Sequence, residues 1–197
     1  MEIESRPNII SFDVETTGFK AEWENIIELG SVKSNCNGKI IDTFSKFANP
    51  GKKIPNKITD ITGITDDMVK DAEPSNKVIL NWFSWVEPGS ILLAHNSSFD
   101  VSFVIKPLLR FEIDWSKYIV VDTLSWARKT FPNLKKHKLG VLLEHIGYVP
   151  KGQLHRAVED ATGTLYLAAR MMRECKITTI DDMLAKFHSI GCVMNKI

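Results

Sequence analysis

The sequence is short of cysteine, of net charge and of long apolar segments. Its three cysteines, Cys36, Cys175 and Cys192, are odd in number and form no CxxC pair. That argues against a disulfide scaffold or a zinc site and favours a reducing compartment. The 25 Lys and Arg residues against 24 Asp and Glu give a net charge of +1. This balance argues against coating nucleic acid by bulk charge, although it is compatible with a local basic patch.

Long apolar runs are also missing. No run approaches the ~20 residues of a membrane-spanning helix, and the polar start MEIESR lacks the apolar stretch of a secretory signal. We therefore predict no membrane association and a cytoplasmic location. What the chain does have is a globular composition, with 44% hydrophobic and 25% charged residues over 197 positions. This length suits one domain with a buried core.

Apolar residues at strand spacing and at helix spacing alternate along the chain. Strands are predicted at 9–14, 26–32, 40–47, 91–94 and 119–121, and helices at 78–86, 99–111, 123–131, 139–146 and 157–172, with a short helix near 181–187. Asn37-Gly38 predicts a hairpin. Gly63 should end a short helix, Thr65 should cap the next, and Pro107 should kink or break helix 99–111. This order is typical of an α/β fold with a mixed β-sheet flanked by helices on both faces.

The segment FDVETTG at 12–18 places two acids on one face of a strand. Because side chains alternate along a strand, Phe12 and Val14 should point into the core while Asp13 and Glu15 point the other way. Two carboxylates this close repel each other unless a cation lies between them. The alternative is a strand end with two solvated acids.

The segment AHNSSFD at 94–100 joins an apolar strand to a helix through a polar turn. Asp100 falls in the first turn of that helix. Ligands gather at such carboxyl ends of strands in α/β sheets. The alternative role of Asp100 is to complement the helix dipole.

The segment HRAVED at 155–160 begins the last long helix. Asp160 lies at the border of the apolar stripe that contains Ala157 and Ala161, where a carboxylate needs a partner. His155 precedes the helix and can reach the same cleft. The alternative is a helix start with ordinary acids, and the combination of the three segments argues against it.

Together the three segments resemble the motifs of the DnaQ-like, or DEDDh, exonuclease superfamily. Asp13 and Glu15 match the first motif, Asp100 the second, and His155 and Asp160 the third; ITDITGITDDMV at 58–69 is also similar. The resemblance runs from about residue 8 to about 169. It is strongest to proofreading exonucleases of bacterial replicative polymerases, both the epsilon-type subunit and the PolC-type exonuclease domain. It implies a ribonuclease-H-like fold, with an exonuclease domain at 1–175 and a helical tail of that domain at 176–197.

The resemblance also implies two-metal phosphodiester hydrolysis. Two Mg²⁺ or Mn²⁺ ions would be bound by carboxylates, the hard oxygen ligands that these ions prefer. The predicted metal ligands, which are also catalytic, are Asp13, Glu15, Asp100 and Asp160. His155 is the predicted general base, because an ordinary imidazole pKa of ~6.5 suits proton transfer near neutrality.

Residues near these motifs are predicted to contact substrate. Backbone amides of the turn after the first motif would meet a terminal hydroxyl or phosphate, and an isoleucine would lie against a terminal base; the full set is Thr16, Thr17, Gly18, Ile64, Asn96 and Phe99. The basic run at 135–138 has two alternative roles: it contacts a nucleic-acid backbone, or it is a solvated loop before a helix. His95 is expected to be structural, and Trp82, Trp85 and Trp126 are expected to pack in the core.

The sequence therefore predicts a 3′→5′ exonuclease that releases nucleoside 5′-monophosphates from DNA in proofreading or repair. Its expected partners are a single-stranded DNA 3′ end and a DNA polymerase. An RNA-trimming exonuclease is an alternative, because the motif residues would contact only phosphate and metal. A catalytically dead binding module is a second alternative, disfavoured because no motif residue is missing. A structural metal-binding domain would not need His155.

Overall fold

The computed structural model describes residues 8–35, 38–114, 118–150, 152, 155–179, 182–183, 185–186 and 193–194. Its strands are β1 (Ile9–Thr16), β2 (Ile26–Ser34), β3 (Ile40–Phe47), β4 (Ile91–Ala94), β5 (Ile119–Asp122) and β6 (Val193–Met194). Its helices are α1 (Asn56–Thr62), α2 (Asp66–Val69), α3 (Ser75–Trp85), α4 (Ser98–Arg110), α5 (Thr123–Thr130), α6 (Leu139–His145) and α7 (Ala157–Glu174).

The strands form one mixed sheet in the order β3-β2-β1-β4-β5-β6. The first three strands are antiparallel neighbours, β4 and β5 run parallel to β1, and β6 is antiparallel to β5. The carboxyl ends of β1, β4 and β5 therefore lie at one edge of the sheet. This edge is where the chain leaves β4 for α4 and β5 for α5, so polar loop residues from distant parts of the sequence meet there.

Each face of the sheet carries its own hydrophobic core. On one face Phe12 packs against Trp82 of α3, with ring centroids 5.0 Å apart, and α4 completes this core. On the other face α5, α6 and α7 cover Ile9, Val32 and Leu93. The alternation along β1 sends Asp13 and Glu15 toward this second face, as predicted from the period of a strand.

Helix α7 lies almost directly on the sheet at Gly30 of β2. A Cβ atom on Gly30 would come within 2.1 Å of the backbone nitrogen of Val158, so a larger residue there would push the helix away. Gly30 is the register partner of Asp13. The close approach therefore brings the first turn of α7 next to the acidic end of β1.

The predicted α/β architecture with a mixed, helix-flanked sheet is confirmed, and most boundaries agree within a few residues. The antiparallel pairing of β2 with β3 confirms the hairpin, although Asn37 itself lies outside the described residues. Gly63 ends α1 with a φ of 72°. Thr65 precedes α2 as predicted, but its side chain makes no capping hydrogen bond. The expected break at Pro107 does not occur, because α4 continues to Arg110.

The chain after α7 is only partly described. Ile177 and Met183 are buried in the second core, and residues 182–183 and 185–186 are helical, while the rest of the predicted helix at 181–187 lies outside the described residues. The division at residue 175 stays a prediction. Within the described ranges, no helix combines the length and the apolar character that crossing a membrane requires.

Candidate active site

Four carboxylates from three elements converge at the carboxyl edge of β1. Asp13 and Glu15 come from β1, while Asp100 and Asp160 lie in the first turns of α4 and α7. Each of these two helical carboxylates accepts a hydrogen bond from a backbone amide. The amide of Val14 donates to Asp100 Oδ1 at 3.1 Å, and the amide of His155 donates to Asp160 Oδ2 at 3.2 Å. The structure thus brings the predicted acids together from positions up to 147 residues apart, the separation of Asp13 and Asp160.

His155 lies at the open side of this group. One ligating atom from each of Glu15, His155 and Asp160 lies within 4.8 Å of the other two. The His155 backbone has a φ of 65°, a left-handed conformation that is uncommon for any residue but glycine. The loop before α7 therefore turns sharply, which leaves the imidazole exposed beside two carboxylates.

The four acids raise one another's pKa values. Burial, together with the nearby Asp100, Glu15 and Asp160 carboxylates, raises the pKa of Asp13 well above its usual range. Burial and the charges of Asp160 and Glu28 raise the pKa of Glu15 to about 8. These shifts mean that the ionised cluster lacks enough positive charge from the chain around it.

Asp100 and Asp160 behave in the same way. Burial raises the pKa of Asp100 to about 8, even though the hydrogen bond from Val14 opposes the shift. Burial also raises the pKa of Asp160, and the charge and amide of His155 reduce that increase. A divalent cation bound by oxygen ligands would relieve this repulsion, and the donor set of hard carboxylates fits Mg²⁺ or Mn²⁺ better than a thiolate-preferring ion.

A fifth buried carboxylate, Glu28, escaped the sequence analysis. It faces Glu15 across the β1–β2 register and is only 1% exposed. It forms an ion pair, which none of the four acids does within the part of the chain that the structure describes: Arg156 Nη2 donates to Oε1 at 2.8 Å and Arg156 Nε donates to Oε2 at 3.1 Å. Its signal was present in the sequence, since Glu28 interrupts the apolar run of β2, and a buried charge requires a partner.

The turn after the first motif is a braced structure rather than a set of free donors. The amide of Thr17 donates to the carbonyl of Asn25 at 2.9 Å, and its hydroxyl donates to Glu24. The Thr16 hydroxyl donates to the carbonyl of Gly18 at 2.7 Å. The prediction that the Thr17 amide meets substrate is therefore wrong, because that donor is already used inside the turn. For Thr16 and Gly18 a substrate contact stays a prediction.

The prediction that Ile64 stacks on a base is contradicted by its burial. Ile64 is 0% exposed and forms a small core with Ile27, Ile54 and Val69 that holds α1 and α2 against β2. The left-handed turn at Gly63 points this residue inward. The exposed large apolar side chains of the segment 58–69 are Ile61 on α1 and Met68 on α2, and the sequence pattern did not separate either of them from Ile64.

Asn96 and Phe99 lie in and just after the loop between β4 and α4, and for both a substrate contact stays a prediction. Asn96 is exposed in the loop between β4 and α4, with a φ of 70°. Phe99 is half-buried in the first turn of α4, next to Asp100, and its ring packs against Phe103 and against the exposed ring of Phe19, at centroid distances of 5.1 and 6.5 Å. A pair of accessible aromatic rings beside the acids gives the cleft an apolar wall.

The expected core and structural roles are largely confirmed. Trp82 and Trp126 are fully buried. Trp85 is half-buried at the edge of the first core, where its Nε1 donates to Asp42 at 2.8 Å. His95 Nε2 donates to the carbonyl of His137 at 2.9 Å, and burial lowers the pKa of this imidazole. His95 is a structural histidine in this fold.

Comparisons with known proteins agree with this geometry. The family model RNase_T, described as an exonuclease, matches residues 10–168. DNA polymerase III PolC-type of Listeria innocua is 42% identical over 165 residues, and that of Bacillus subtilis is 41% identical over 168 residues. Each match covers 84% of this chain but only 11% of the relative, so the chain spans a small part of the curated relatives it matches.

Solved structures confirm the ribonuclease-H-like exonuclease fold. Exonuclease X in complex with 5′ overhanging duplex DNA matches with a TM-score of 0.70 and 26% identity, over 89% of this chain and 96% of that one. The nuclease domain of 3′hExo, a DEDDh family member bound to rAMP, matches with a TM-score of 0.71 and 23% identity, over 87% and 94%. The second likeness concerns the fold alone.

Proposed function

Since the chain belongs to the RNase_T family of exonucleases, we propose that it is a metal-dependent 3′→5′ exonuclease that hydrolyses DNA to nucleoside 5′-monophosphates. The observation that carries this proposal is the convergence of Asp13, Glu15, Asp100 and Asp160 with His155 beside them. Carboxylates whose pKa values are raised by burial and by one another form a site for cations. A neighbouring imidazole adds a group that can take a proton near neutral pH.

The four carboxylates would hold two Mg²⁺ or Mn²⁺ ions. The ligating atoms of Glu15 and Asp160 lie close together, which supports one ion. The charges of Asp100, Glu15 and Asp160 all act on Asp13, so Asp13 is the proposed ligand shared with a second ion. Bound divalent ions would make a water molecule acidic and stabilise the oxyanion that leaves. The amides of Val14 and His155 orient the Asp100 and Asp160 carboxylates for this task.

His155 is the proposed general base. Its exposed imidazole lies beside the ligating oxygens of Glu15 and Asp160, so it can accept a proton from a water molecule that lies against the same oxygens. The adjacent Phe99 and Phe19 rings would pack against the terminal base or sugar, and Asn96 would donate to the nucleotide backbone. Ile61, the exposed apolar residue of α1, takes the place that the sequence analysis assigned to Ile64.

DNA is the proposed substrate because the relatives at 41–42% identity are DNA polymerases of the PolC type. Exonuclease X was solved with 5′ overhanging duplex DNA, which presents a 3′ end to the enzyme. A polymerase partner, and a role in proofreading or repair, are proposed on the same basis. The relatives carry the matching segment within a much longer chain.

Degradation of end-labelled DNA tests the proposal. Linear single-stranded DNA should be shortened to mononucleotides in Mg²⁺ or Mn²⁺, and EDTA should abolish the reaction. Circular DNA of the same sequence should survive, because a free 3′ end is required. Nicking of the circle would indicate an endonuclease, and faster degradation of an RNA of equal sequence would assign the chain to RNA trimming instead.

A further inference from the structure

We propose that the loop between α5 and α6 forms a phosphate-binding groove for the strand that continues 5′ of the cleaved nucleotide. This inference rests on the proposed function and extends it to a substrate longer than the terminal nucleotide. The groove encloses about 580 Å³ and is lined by Asn96, Arg128, Lys135, Lys136 and Lys138, together with aliphatic and histidine side chains. Among the described residues no acid lines this groove, in a chain whose net charge is only +1.

The four cations are exposed and available for an anion. None of the ion pairs among the described residues includes Arg128, Lys135, Lys136 or Lys138. By contrast, lysines elsewhere on the surface, such as Lys52, Lys70 and Lys77, pair with acids. Unpaired cations that surround one groove raise its local potential and attract a polyanion.

The lysine loop is held in place rather than loosely solvated. His95 Nε2 donates to the carbonyl of His137 at 2.9 Å, and His137 Nε2 donates to the carbonyl of Phe131 at 3.0 Å. Asp122 fixes the facing loop, since the amides of Asn96 and Ser97 donate to its Oδ1 at 2.9 and 3.1 Å. The Asp122 carboxylate is thus occupied by backbone donors, and both walls of the groove are held by hydrogen bonds.

The groove lies on the path that leads out of the acid cluster. Asn96 is four residues before Asp100 and lines the groove. The groove follows the carboxyl end of β5, two strands from β1, which corresponds to about 10 Å at the usual strand spacing. A strand whose 3′ end occupies the cleft can therefore extend past Asn96 and place its next phosphates against the lysines.

Salt-dependent binding tests the groove without requiring turnover. The affinity of a fluorescently labelled single-stranded DNA oligonucleotide is measured by anisotropy in EDTA over a range of salt concentrations. For the triple variant Lys135→Gln, Lys136→Gln and Lys138→Gln, the slope of log K against log salt should become shallower by about 2, since each lost single-strand phosphate contact contributes about 0.7. The control variant Lys39→Gln, Lys46→Gln and Lys70→Gln carries the same charge change at exposed positions away from this groove.

The slopes of the triple variant and the control variant decide whether the groove binds the strand. An unchanged slope, or an equal change in the control, overturns the groove. A change seen only with duplex DNA would assign the lysines to the complementary strand and overturn the path proposed here. Hydrolysis of the p-nitrophenyl ester of thymidine 5′-monophosphate, which has no upstream strand, is measured on the wild type in parallel. Failure of the wild type on both ester and oligonucleotide would overturn the proposed function, whatever the slopes show.

From a separate observation we infer that Arg156 is a positioning residue for His155. Arg156 follows His155 directly, and its guanidinium binds Glu28 through two nitrogens while the amide of Ala157 donates to Glu28 Oε2 at 3.1 Å. The guanidinium also lies 5.2 Å from the ring centroid of Phe47. Glu28 thereby anchors both residues that follow the left-handed turn at His155, a conformation that persists only when its surroundings hold it.

A double-mutant cycle distinguishes this role from simple stabilisation. Arg156→Met should lower kcat by about 10²-fold, the typical effect of displacing a reacting group by about 1 Å. In a His155→Ala background the same change should have almost no further effect, because it acts through His155. Arg156→Lys should fall between, since lysine binds a carboxylate without the planar fork. Arg170→Met, which breaks an exposed pair with Glu174 on the same helix, is the matched control.

The double-mutant cycle also distinguishes failure of the positioning role of Arg156 from failure of the proposed function. Equal losses from Arg156→Met in both backgrounds would overturn the positioning role. Full activity of His155→Ala alone would instead remove the proposed general base. Loss of the Mn²⁺-dependent rise in melting temperature in Arg156→Met would assign the arginine to the metal site and likewise overturn the inference.

Discussion

Two kinds of carboxylate meet at the carboxyl end of β1, where Glu28 of β2 faces Glu15 across the sheet register. Glu28 has a cation of its own, because Arg156 and the amide of Ala157 satisfy both of its oxygens. Among the described residues, no ion pair or bidentate cation contact includes Asp13, Glu15 or Asp100, and burial and nearby carboxylates raise their pKa values. An acid paired within the chain stabilises the fold, whereas acids left without a cation form a site that something else must complete.

The comparison is sharpest for Asp13→Asn, which removes one unpaired acid while keeping its size. Activity should fall by at least about 10³-fold, since metal-assisted charge stabilisation is worth several kcal/mol. The metal-free protein should at the same time become more stable, because one source of repulsion is gone. Kinetic assays and urea unfolding in EDTA measure the two effects. A loss of both activity and stability would contradict the distinction drawn here.

His155→Ala tests the base rather than the ligands. We expect kcat to fall by about 10²–10⁴-fold, the usual contribution of a positioned general base. The Mn²⁺-dependent rise in melting temperature should remain, whereas Asp160→Ala should reduce it as well as turnover. Wild-type kcat/KM should decline toward acidic pH, where a base is lost to protonation, and the residual activity of the variant should lack this decline. Near-normal turnover at neutral pH would remove His155 from the mechanism.

Glu28→Gln tests the paired carboxylate of this comparison. The substitution leaves the partly exposed Arg156 guanidinium without its anion and weakens the acceptor of the Ala157 amide, so the free energy of unfolding should fall in EDTA by about 1–3 kcal/mol, the typical cost of an unsatisfied hydrogen-bonding group. This is the opposite sign to Asp13→Asn, although both substitutions replace a buried acid by its amide. Urea unfolding at matched pH gives the two values. Equal signs for the two variants would show that pairing with Arg156 does not separate Glu28 from the cluster.

The effect of pH on the stability of the metal-free protein should be smaller than the effects of these substitutions, and Glu15 should account for part of it. Folding raises the pKa of Glu15 from 4.5 to about 8. Its contribution to stability is therefore full below about pH 4.5 and is lost as pH rises through about 8. In EDTA the melting temperature should fall over this window, and saturating Mg²⁺ should reduce the fall. Glu15→Gln should flatten the metal-free curve, and an unchanged curve would show that Glu15 does not carry the shift.

Strand and helix patterns predicted most of the fold and the residues of the acid cluster. Alternation along β1 separates Phe12 from Asp13 by local geometry alone, and Asp160 is identified by its place at the border of an apolar stripe. Pro107 was misjudged, because the packing of Phe103 and Leu108 in the first core carries α4 past the missing backbone donor. Ile64 and the Thr17 amide were misjudged because apolar character does not show whether a side chain is buried in the core, and position in a loop does not show whether an amide already donates a hydrogen bond within the fold.

The sequence by itself determined which residues carry charge and at what period they recur, since both are properties of a short stretch of chain. Only the tertiary structure decided which carboxylate received a cation. Gly30 lets α7 approach β2 closely, and that approach brings Arg156 to Glu28 across 128 residues of sequence. The same packing leaves Asp13 and Glu15 near Asp160 with no ion pair to any described cation. Which groups become neighbours depends on how helices pack on a sheet, and that packing is set by contacts between residues distant in the chain.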